Sequence, residues 1–280
     1  MARHYVTTSL GQIHCTRAGA GTPLVLLAAA GRSARMFSAL LPKLADSFDV
    51  IAFDTPGFGN SDPLPEGATI EQIARAFIEA LDGLGIERTA IYGLHTGHKI
   101  ATAMANQAPR RITKLILAGQ SHSLVPDQET RNAGIRQSVS AYVNFGGRGT
   151  GKDAARAQAT AAQAGALLQL AGSSPDSHPV FGGHVLDHAL DKIQSEGIAD
   201  LYLANFHYDL QRGLRELGVP TLVLEIATDQ ETKHIGLQGE KIAQLIRGST
   251  LLTLHVPDGR GLTLENRPDD LAHIIKSFLH

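Results

Sequence analysis

The amino-acid sequence predicts an α/β fold, in which a mostly parallel central sheet is flanked by helices and a helical cap is inserted into the core. Three observations support this prediction. Short apolar runs, typical of strands buried on both faces, alternate with segments of helical periodicity in the first part of the chain. A stretch rich in Ala and Gln follows, and a second, shorter alternation comes after it. With 280 residues, the chain is long enough to bury a sizeable core.

The first predicted elements are an edge hairpin and the strands beside it. Tyr5–Ser9 and Gln12–Arg17 alternate in the manner of two hairpin strands that turn at Leu10 and Gly11. Leu24–Leu27 and Val50–Phe53 are continuous apolar runs and predict buried strands, and the helical spacing of Met36–Leu44 predicts a helix between them.

The remaining predicted elements continue the alternation of strand and helix. In chain order they are the helix Ile70–Leu84, the strand Thr89–Tyr92, the helix from Thr96 to Gln107, the strand Lys114–Ala118, the strands Val219–Leu224 and Ser249–Val256, and the last helix Asp269–Leu279. Such alternation implies parallel strands joined by crossover helices. We expect residues 1–122 and 217–280 to form the core, and the intervening residues 123–216 to form the cap.

Composition and charge exclude several classes of function. Lys and Arg number 25 against 27 Asp and Glu, which gives a net charge of −2 and no basic surface for nucleic acid. No apolar run has the length of a membrane span, and the first residues lack the apolar segment of a signal peptide. Together with the single cysteine, Cys15, these features predict a soluble cytoplasmic protein. The sequence does not specify an oligomeric state.

We expect no cofactor. Gly146–Asp153 is close to a phosphate-binding loop, but Asp153 stands where such a loop requires Ser or Thr, so nucleotide binding is not expected.

A short segment in the middle of the predicted core indicates a functional turn. Gly93-Leu94-His95-Thr96-Gly97 follows the strand Thr89–Tyr92 and opens a helix, with a glycine on either side of one residue. This is the frame of a nucleophile elbow, in which the central side chain is exposed at the top of a sheet. The central residue here is His95.

Further motifs allow a family to be named. Asp54–Asp62 follows the pattern D-x-P-G-x-G-x-S-D, Val219–Leu224 has the form of a late core strand, and Arg267–Asp270 has that of the start of the last helix. In this order and spacing, with the elbow, these segments resemble the α/β-hydrolase superfamily over nearly the whole core. The resemblance implies a hydrolase fold with a cap that shapes the substrate pocket, and it places the catalytic acid at Asp229.

The same resemblance reveals three departures from the family pattern. His95 stands where the family has its nucleophilic Ser. The catalytic His of the family falls at Gly261, or at Arg260 with a slip of one residue. Ala28 and Ala29 replace the His-Gly pair that follows the third strand. Only the orienting carboxylate of a Ser-His-Asp triad therefore remains.

From these departures we predict a non-standard site centred on His95. An exposed imidazole can act as a general base or acid near neutral pH, and the missing side chain at Gly261 leaves room for it to reach Asp229. The backbone N–H groups of Ala30 and Thr96 would stabilise an oxyanion. The other expected pocket residues are Ala29, Ser33, His122 and Arg260. The target would be a small organic molecule such as an ester, a lactone or an activated C–C bond, cleaved by a hydrolase or lyase.

Two alternatives stay open. In the first, the protein is a catalytically silent, receptor-like member of the fold that binds a ligand without turnover. Alternatively, His95, His98 and His122 converge on a metal ion, although no established metal-binding motif supports such a site.

Overall fold

The structure, a computed structural model, describes residues 1–119, 124, 187, 190–191, 197–228, 236–256, 264 and 267–280. Within these ranges eight strands form one sheet, in the order β1-β2-β4-β3-β5-β6-β7-β8. β1 and β2 form an antiparallel hairpin, β2 pairs with β4 in the antiparallel sense, and every other pair is parallel. The strands are β1 (Ala2–Thr8), β2 (Gly11–Ala18), β3 (Thr22–Leu27), β4 (Phe48–Phe53), β5 (Thr89–Leu94), β6 (Ile112–Ala118), β7 (Thr221–Thr228) and β8 (Thr250–Val256).

Helices cover both faces of the sheet. The helices with described bounds are a 3-10 helix (Ala34–Phe37), α1 (Leu41–Leu44), α2 (Ile70–Gly83), α3 (Thr96–Gln107), α4 (Ile198–His207), α5 (Leu210–Arg215), α6 (Gly239–Leu245) and α7 (Pro268–Leu279). One apolar cluster joins the sheet to α2 through α6, and a second joins the opposite face to the 3-10 helix, α1 and α7. The prediction of an α/β fold with a mostly parallel sheet is therefore confirmed.

The predicted helix Met36–Leu44 is wrong as a single element. The structure has the 3-10 helix Ala34–Phe37 and a separate α-helix from Leu41, with Pro42 in its first turn. Proline has no N–H to donate, and its ring clashes with the carbonyl four residues before it, so a helix cannot run through Pro42 but can begin there. The helical spacing was present, but it belongs to two short turns.

The glycine-rich loop after β4 is held by the carboxylate of Asp54. This buried side chain accepts hydrogen bonds from the N–H groups of Ala34 and Asn60, at 2.6 and 2.9 Å, and contacts Nδ1 of His14 at 2.7 Å. Gly59 has φ of 59°, and a Cβ on it would collide with the Asp54 carboxylate. The residues of the D-x-P-G-x-G-x-S-D pattern therefore have a structural role, which is to hold the loop in its conformation.

Among the described residues, no helix is both long and apolar enough to cross a membrane. The predicted boundaries of the cap, 123–216, remain a prediction. Of that stretch the structure describes Leu124, Asp187, Leu190, Asp191 and the residues from Gly197 onward.

Candidate functional site

His95 occupies the sharp turn between β5 and α3. Its backbone has φ of 49° and ψ of −108°, a conformation that few residues other than glycine adopt. Such a conformation costs about 1–3 kcal/mol and persists only where the surrounding structure imposes it. Here the N–H of His95 donates to the carbonyl oxygen of Ala118 on β6, at 3.0 Å. The strand-turn-helix geometry expected of the elbow is present, with His95 at its apex.

The two glycines that flank the turn are required by close backbone packing. A Cβ on Gly93 would collide with the carbonyl of Gly97, and a Cβ on Gly97 would collide with the carbonyl of Leu27 at the end of β3. The start of α3 therefore lies directly against the end of β3. This contact brings His95 beside the segment Ala28–Ala30.

The imidazole of His95 lies across the end of β6. An added Cβ on Gly119 would lie 2.8 Å from Nδ1 and 2.9 Å from Cε1 of His95, and Gly119 has φ of 72°. The ring is half-buried, so one part of it is accessible to solvent. Because β6 lies between β5 and β7 in the sheet, the ring extends from the elbow toward the side of β7.

A tight turn after β3 forms the neighbouring wall. The N–H of Arg32 donates to the carbonyl oxygen of Ala29 at 3.1 Å, and Gly31 adopts φ of 78°. No hydrogen bond from the N–H of Ala30 is found within the described residues. Thr96 is the first residue of α3, so its N–H has no partner inside the helix. Neither N–H group therefore has a hydrogen-bond acceptor among the described residues.

Ser33 is engaged in a buried cluster around Asp191. The carboxylate of Asp191 accepts hydrogen bonds from the hydroxyl and the N–H of Ser33, from Nε of Arg32 at 3.1 Å, and from Arg35 at 3.2 Å. The Asp191 side chain is only 1% exposed. The Ser33 hydroxyl also accepts from the N–H of Arg35 and so caps the 3-10 helix. It is therefore a turn hydroxyl that joins the core to the predicted cap.

His98 lies one helical turn after His95 and is completely buried. Burial and the positive charge of Lys99 lower the pKa of His98 to about 3, and the backbone of Gly119 only partly offsets them. The contact with the Gly119 backbone does not have the geometry of a full hydrogen bond, and within the described residues neither ring nitrogen makes one. His98 is therefore neutral at physiological pH. Lys99 is buried as well, and its Nζ donates to the carbonyl oxygen of Asn205 on α4 at 2.6 Å, close to the ring of Phe206.

Four of the residues singled out in the sequence, Asp229, Arg260, Gly261 and His122, lie outside the described residues, as does Gly146–Asp153. Asp229 directly follows Thr228, the last residue of β7, which is paired with Val256 at the end of β8. In the described part of the chain, no three His, Cys, Asp or Glu side chains are placed to hold a metal ion.

A His-Asp pair does occur in the structure, but it lies away from the elbow. His14 on β2 contacts Asp54, and both are buried. A cavity of about 390 Å³ lies beside them, lined among others by Arg35, Ser38 and Asn60. Both residues line this cavity, and Nε2 of His14 has no hydrogen-bond partner among the described residues, while the Asp54 carboxylate is occupied by the backbone N–H groups of Ala34 and Asn60. The pair fixes the loop after β4.

A comparison with known families assigns the chain. The model of the α/β hydrolase fold matches residues 22–258, which covers most of the sequence and all strands from β3 to β8. The chain belongs to the α/β-hydrolase fold family. The match includes the elbow, the loop Asp54–Asp62 and the strand at Val219–Leu224, three of the segments on which the resemblance in sequence was based.

Curated proteins similar to this chain are named for different activities. The chain is 36% identical over 114 residues to a 2-hydroxy-6-oxononadienedioate/2-hydroxy-6-oxononatrienedioate hydrolase of Cupriavidus pinatubonensis, covering 39% of each protein. It is 36% identical over 77 residues to the dihydrolipoyllysine-residue acetyltransferase component of an acetoin cleaving system of Cupriavidus necator, covering 28% of this chain and 21% of that one. These matches span about two fifths or less of the relatives' lengths.

A solved structure agrees over the full length. A thermophilic esterase from Thermogutta terrifontis superposes with a TM-score of 0.74 and 24% identity, covering 100% of this chain and 98% of the esterase. At this level of identity, the likeness establishes the fold alone.

Two residues of this α/β-hydrolase fold were missed by the sequence interpretation. Gly119 was detectable in principle, because a glycine directly after a buried strand is a common sign of close backbone approach. Asp191 gave no local signal, since its four donors are more than 150 positions away in the sequence. Only the folded chain brings them together.

Proposed function

We propose that the protein is an α/β-hydrolase-fold enzyme that cleaves a small organic substrate through a non-standard site centred on His95, with Asp229 as its partner. The substrate class is an ester, a lactone or an activated C–C bond, and the reaction is a hydrolysis or a related lyase cleavage. One curated relative is named a hydrolase of 2-hydroxy-6-oxononadienedioate, which is consistent with this class. His95 takes the place of the family's nucleophilic Ser.

The observation that carries the proposal is the placement of the His95 ring. The strained turn holds a half-buried imidazole at the carboxyl end of the sheet, the edge where ligands bind in folds of this kind. The ring lies over Gly119, on the side toward β7, and chain continuity puts Asp229 directly after that strand. A carboxylate partner would orient the ring and stabilise the imidazolium that forms during the reaction.

For an ester, the groups described above suffice for base-assisted attack by water. His95 removes a proton from a water molecule while the water oxygen bonds to the carbonyl carbon, and the carbonyl electron pair moves to its oxygen. The N–H groups of Ala30 and Thr96 donate to this oxyanion. When the carbonyl re-forms, the bond to the alkoxide breaks and the imidazolium returns the proton to the leaving oxygen. The products are a carboxylic acid and an alcohol.

The test is turnover on a panel of p-nitrophenyl acetate, γ-butyrolactone and a β-diketone. His95→Ala should lower kcat by about 100-fold or more, the usual contribution of a general base. Asp229→Asn should lower it to a smaller extent. The exposed His207 on α4 provides the matched control, and His207→Ala should retain full activity.

Two results would contradict the enzyme. The first is unchanged turnover in His95→Ala. The second is tight binding of a panel compound by the wild type without turnover. That outcome would favour the receptor-like alternative, which the three departures from the family pattern suggest.

A further inference from the structure

The turn that carries Ala30 is held at both of its ends. On its N-terminal side, the end of β3 lies against Gly97 at the start of α3, so closely that no Cβ fits there. On its C-terminal side, Ser33 and Ala34 are bound by two buried carboxylates, those of Asp191 and Asp54. Between these anchors, the described residues offer the Ala30 N–H no hydrogen-bond acceptor, so within them its direction follows from the conformation of the turn.

Asp191 differs from Asp54 in where it comes from. Asp54 belongs to the core, whereas Asp191 lies in the stretch 123–216 that we expect to form the cap, and its partners Arg32, Ser33 and Arg35 follow β3. A carboxylate that is 1% exposed is stable only when donors surround it, and here three residues supply four of them. An amide in place of this carboxylate would keep one acceptor oxygen and set an NH2 group against the donors on the other side, so part of these hydrogen bonds would be lost.

We infer that Asp191 is a positioning residue, which clamps the turn Ala29–Ser33 from the side of the cap and so sets the direction of the Ala30 N–H in the site. The inference rests on the proposed function, because that function assigns the Ala30 N–H to the oxyanion. The cap and the candidate oxyanion hole are then coupled through one carboxylate. When Asp191 is not bound to Ser33, the turn loses one of its two C-terminal anchors, and only the hydrogen bond from Ala34 to Asp54 remains on that side.

Amide hydrogen exchange of the full chain, followed by mass spectrometry, tests the clamp without a substrate. In Asp191→Asn, the peptide that covers residues 29–33 should exchange about tenfold faster than in the wild type, since a local anchor is lost. The peptide that covers β5 and the start of α3 should be unchanged. Asp191→Glu, which keeps the charge, should restore a large part of the protection.

The matched control is Asp49→Asn. Asp49 is also a buried carboxylate bound by an arginine, Arg17, but it lies near the start of β4, away from the turn. Its loss should leave exchange at residues 29–33 at the wild-type rate. Equal acceleration in Asp49→Asn, or none in Asp191→Asn, would overturn the clamp. If Asp191→Asn does not fold, Ser33→Ala takes its place. Ser249→Ala is then the control, because the Ser249 hydroxyl donates to Ala243, away from the turn, and the same two contrary outcomes apply.

Activity separates failure of the clamp from failure of the proposed function. On a panel compound that the wild type turns over, Asp191→Asn should lower kcat by about tenfold to 100-fold, while KM stays within about threefold, because only the transition state uses the oxyanion donor. A larger change in KM than in kcat would contradict the positioning role. Unchanged turnover in His95→Ala refutes the proposed function, yet the exchange experiment still decides whether Asp191 holds the turn.

Discussion

At the scale of single residues, the site depends on a backbone conformation of His95 that is unfavourable for a residue with a Cβ. His95 sits at positive φ, where an L-residue other than Gly, Asn or Asp is uncommon, and its ring rests on the backbone of Gly119. The strain is imposed by the close contact of α3 with β3 and by the hydrogen bond to Ala118. The imidazole can take this direction because Gly119, at the end of β6, has no side chain.

Gly119→Ala tests this dependence. The new Cβ would lie 2.8 Å from Nδ1 of His95, so the ring must move, and activity should fall by about tenfold or more. Gly67→Ala is the matched control, because Gly67 has nearly the same φ, 71°, with open space around it. In both variants the free energy of unfolding, measured by urea titration, should fall by about 1 kcal/mol, because alanine is strained in the left-handed backbone conformation. Equal activity in the two variants would show that Gly119 does not position the ring.

At the scale of elements, one buried carboxylate joins β7 to the helix that follows it. Glu225 is 2% exposed and accepts hydrogen bonds from the N–H groups of Gln238 and Gly239, both at 2.7 Å, at the start of α6. Thr253 on β8 contributes a third hydrogen bond at 3.3 Å. This set of bonds satisfies N–H groups that the first turn of a helix cannot satisfy itself. β7 and the start of α6, which precede and follow Asp229 in the sequence, are thereby fixed to each other.

Glu225→Ala should therefore destabilise the fold by about 2–3 kcal/mol, since it leaves buried N–H groups without an acceptor. Chemical denaturation measures this loss. Glu240 lies exposed in the first turn of the same helix, and Glu240→Ala should change the unfolding free energy by less than about 0.5 kcal/mol. A comparable loss in both variants would point to a general effect of acidic charge at α6.

The strands and the long helices were predictable, because their signals are local. The apolar runs locate β3 and β4, and periodicity locates α2 and α3 to within a residue or two. Local signals fail where distant parts of the chain decide the outcome. The break at Pro42 was readable, but the partners of Asp191 and the resting place of the His95 ring depend on packing between elements far apart in sequence.

At the scale of the whole molecule, His98 links the stability of the fold to pH. Burial lowers the pKa of His98 to about 3 in the folded chain, whereas the pKa of a histidine in an unfolded chain is about 6.5. Below that value the unfolded chain binds a proton that the folded chain does not take up. The stabilising contribution is fully present above about pH 6.5 and is lost progressively as the pH falls toward 3.

Urea unfolding at several pH values measures this linkage. Between pH 6 and pH 4, the wild type should lose about 1.4 kcal/mol per pH unit more than His98→Gln, in which the titrating group is absent. The exposed His207 supplies the control, and His207→Gln should follow the wild type. Parallel pH profiles for the wild type and His98→Gln would mean that His98 takes up its proton in the folded state.

The strand order has a consequence for how the chain is made on the ribosome. β1 to β6 pair among themselves within the first 118 residues, but the next partner of β6 begins only at Thr221, about one hundred residues later. At translation speeds of about 5–20 residues per second, the edge of β6 that pairs with β7 lacks this partner for about 5–20 seconds. An apolar edge of this kind is a template for intermolecular pairing. We therefore expect the yield of folded protein to depend on the speed of translation and on the chaperones that bind the growing chain.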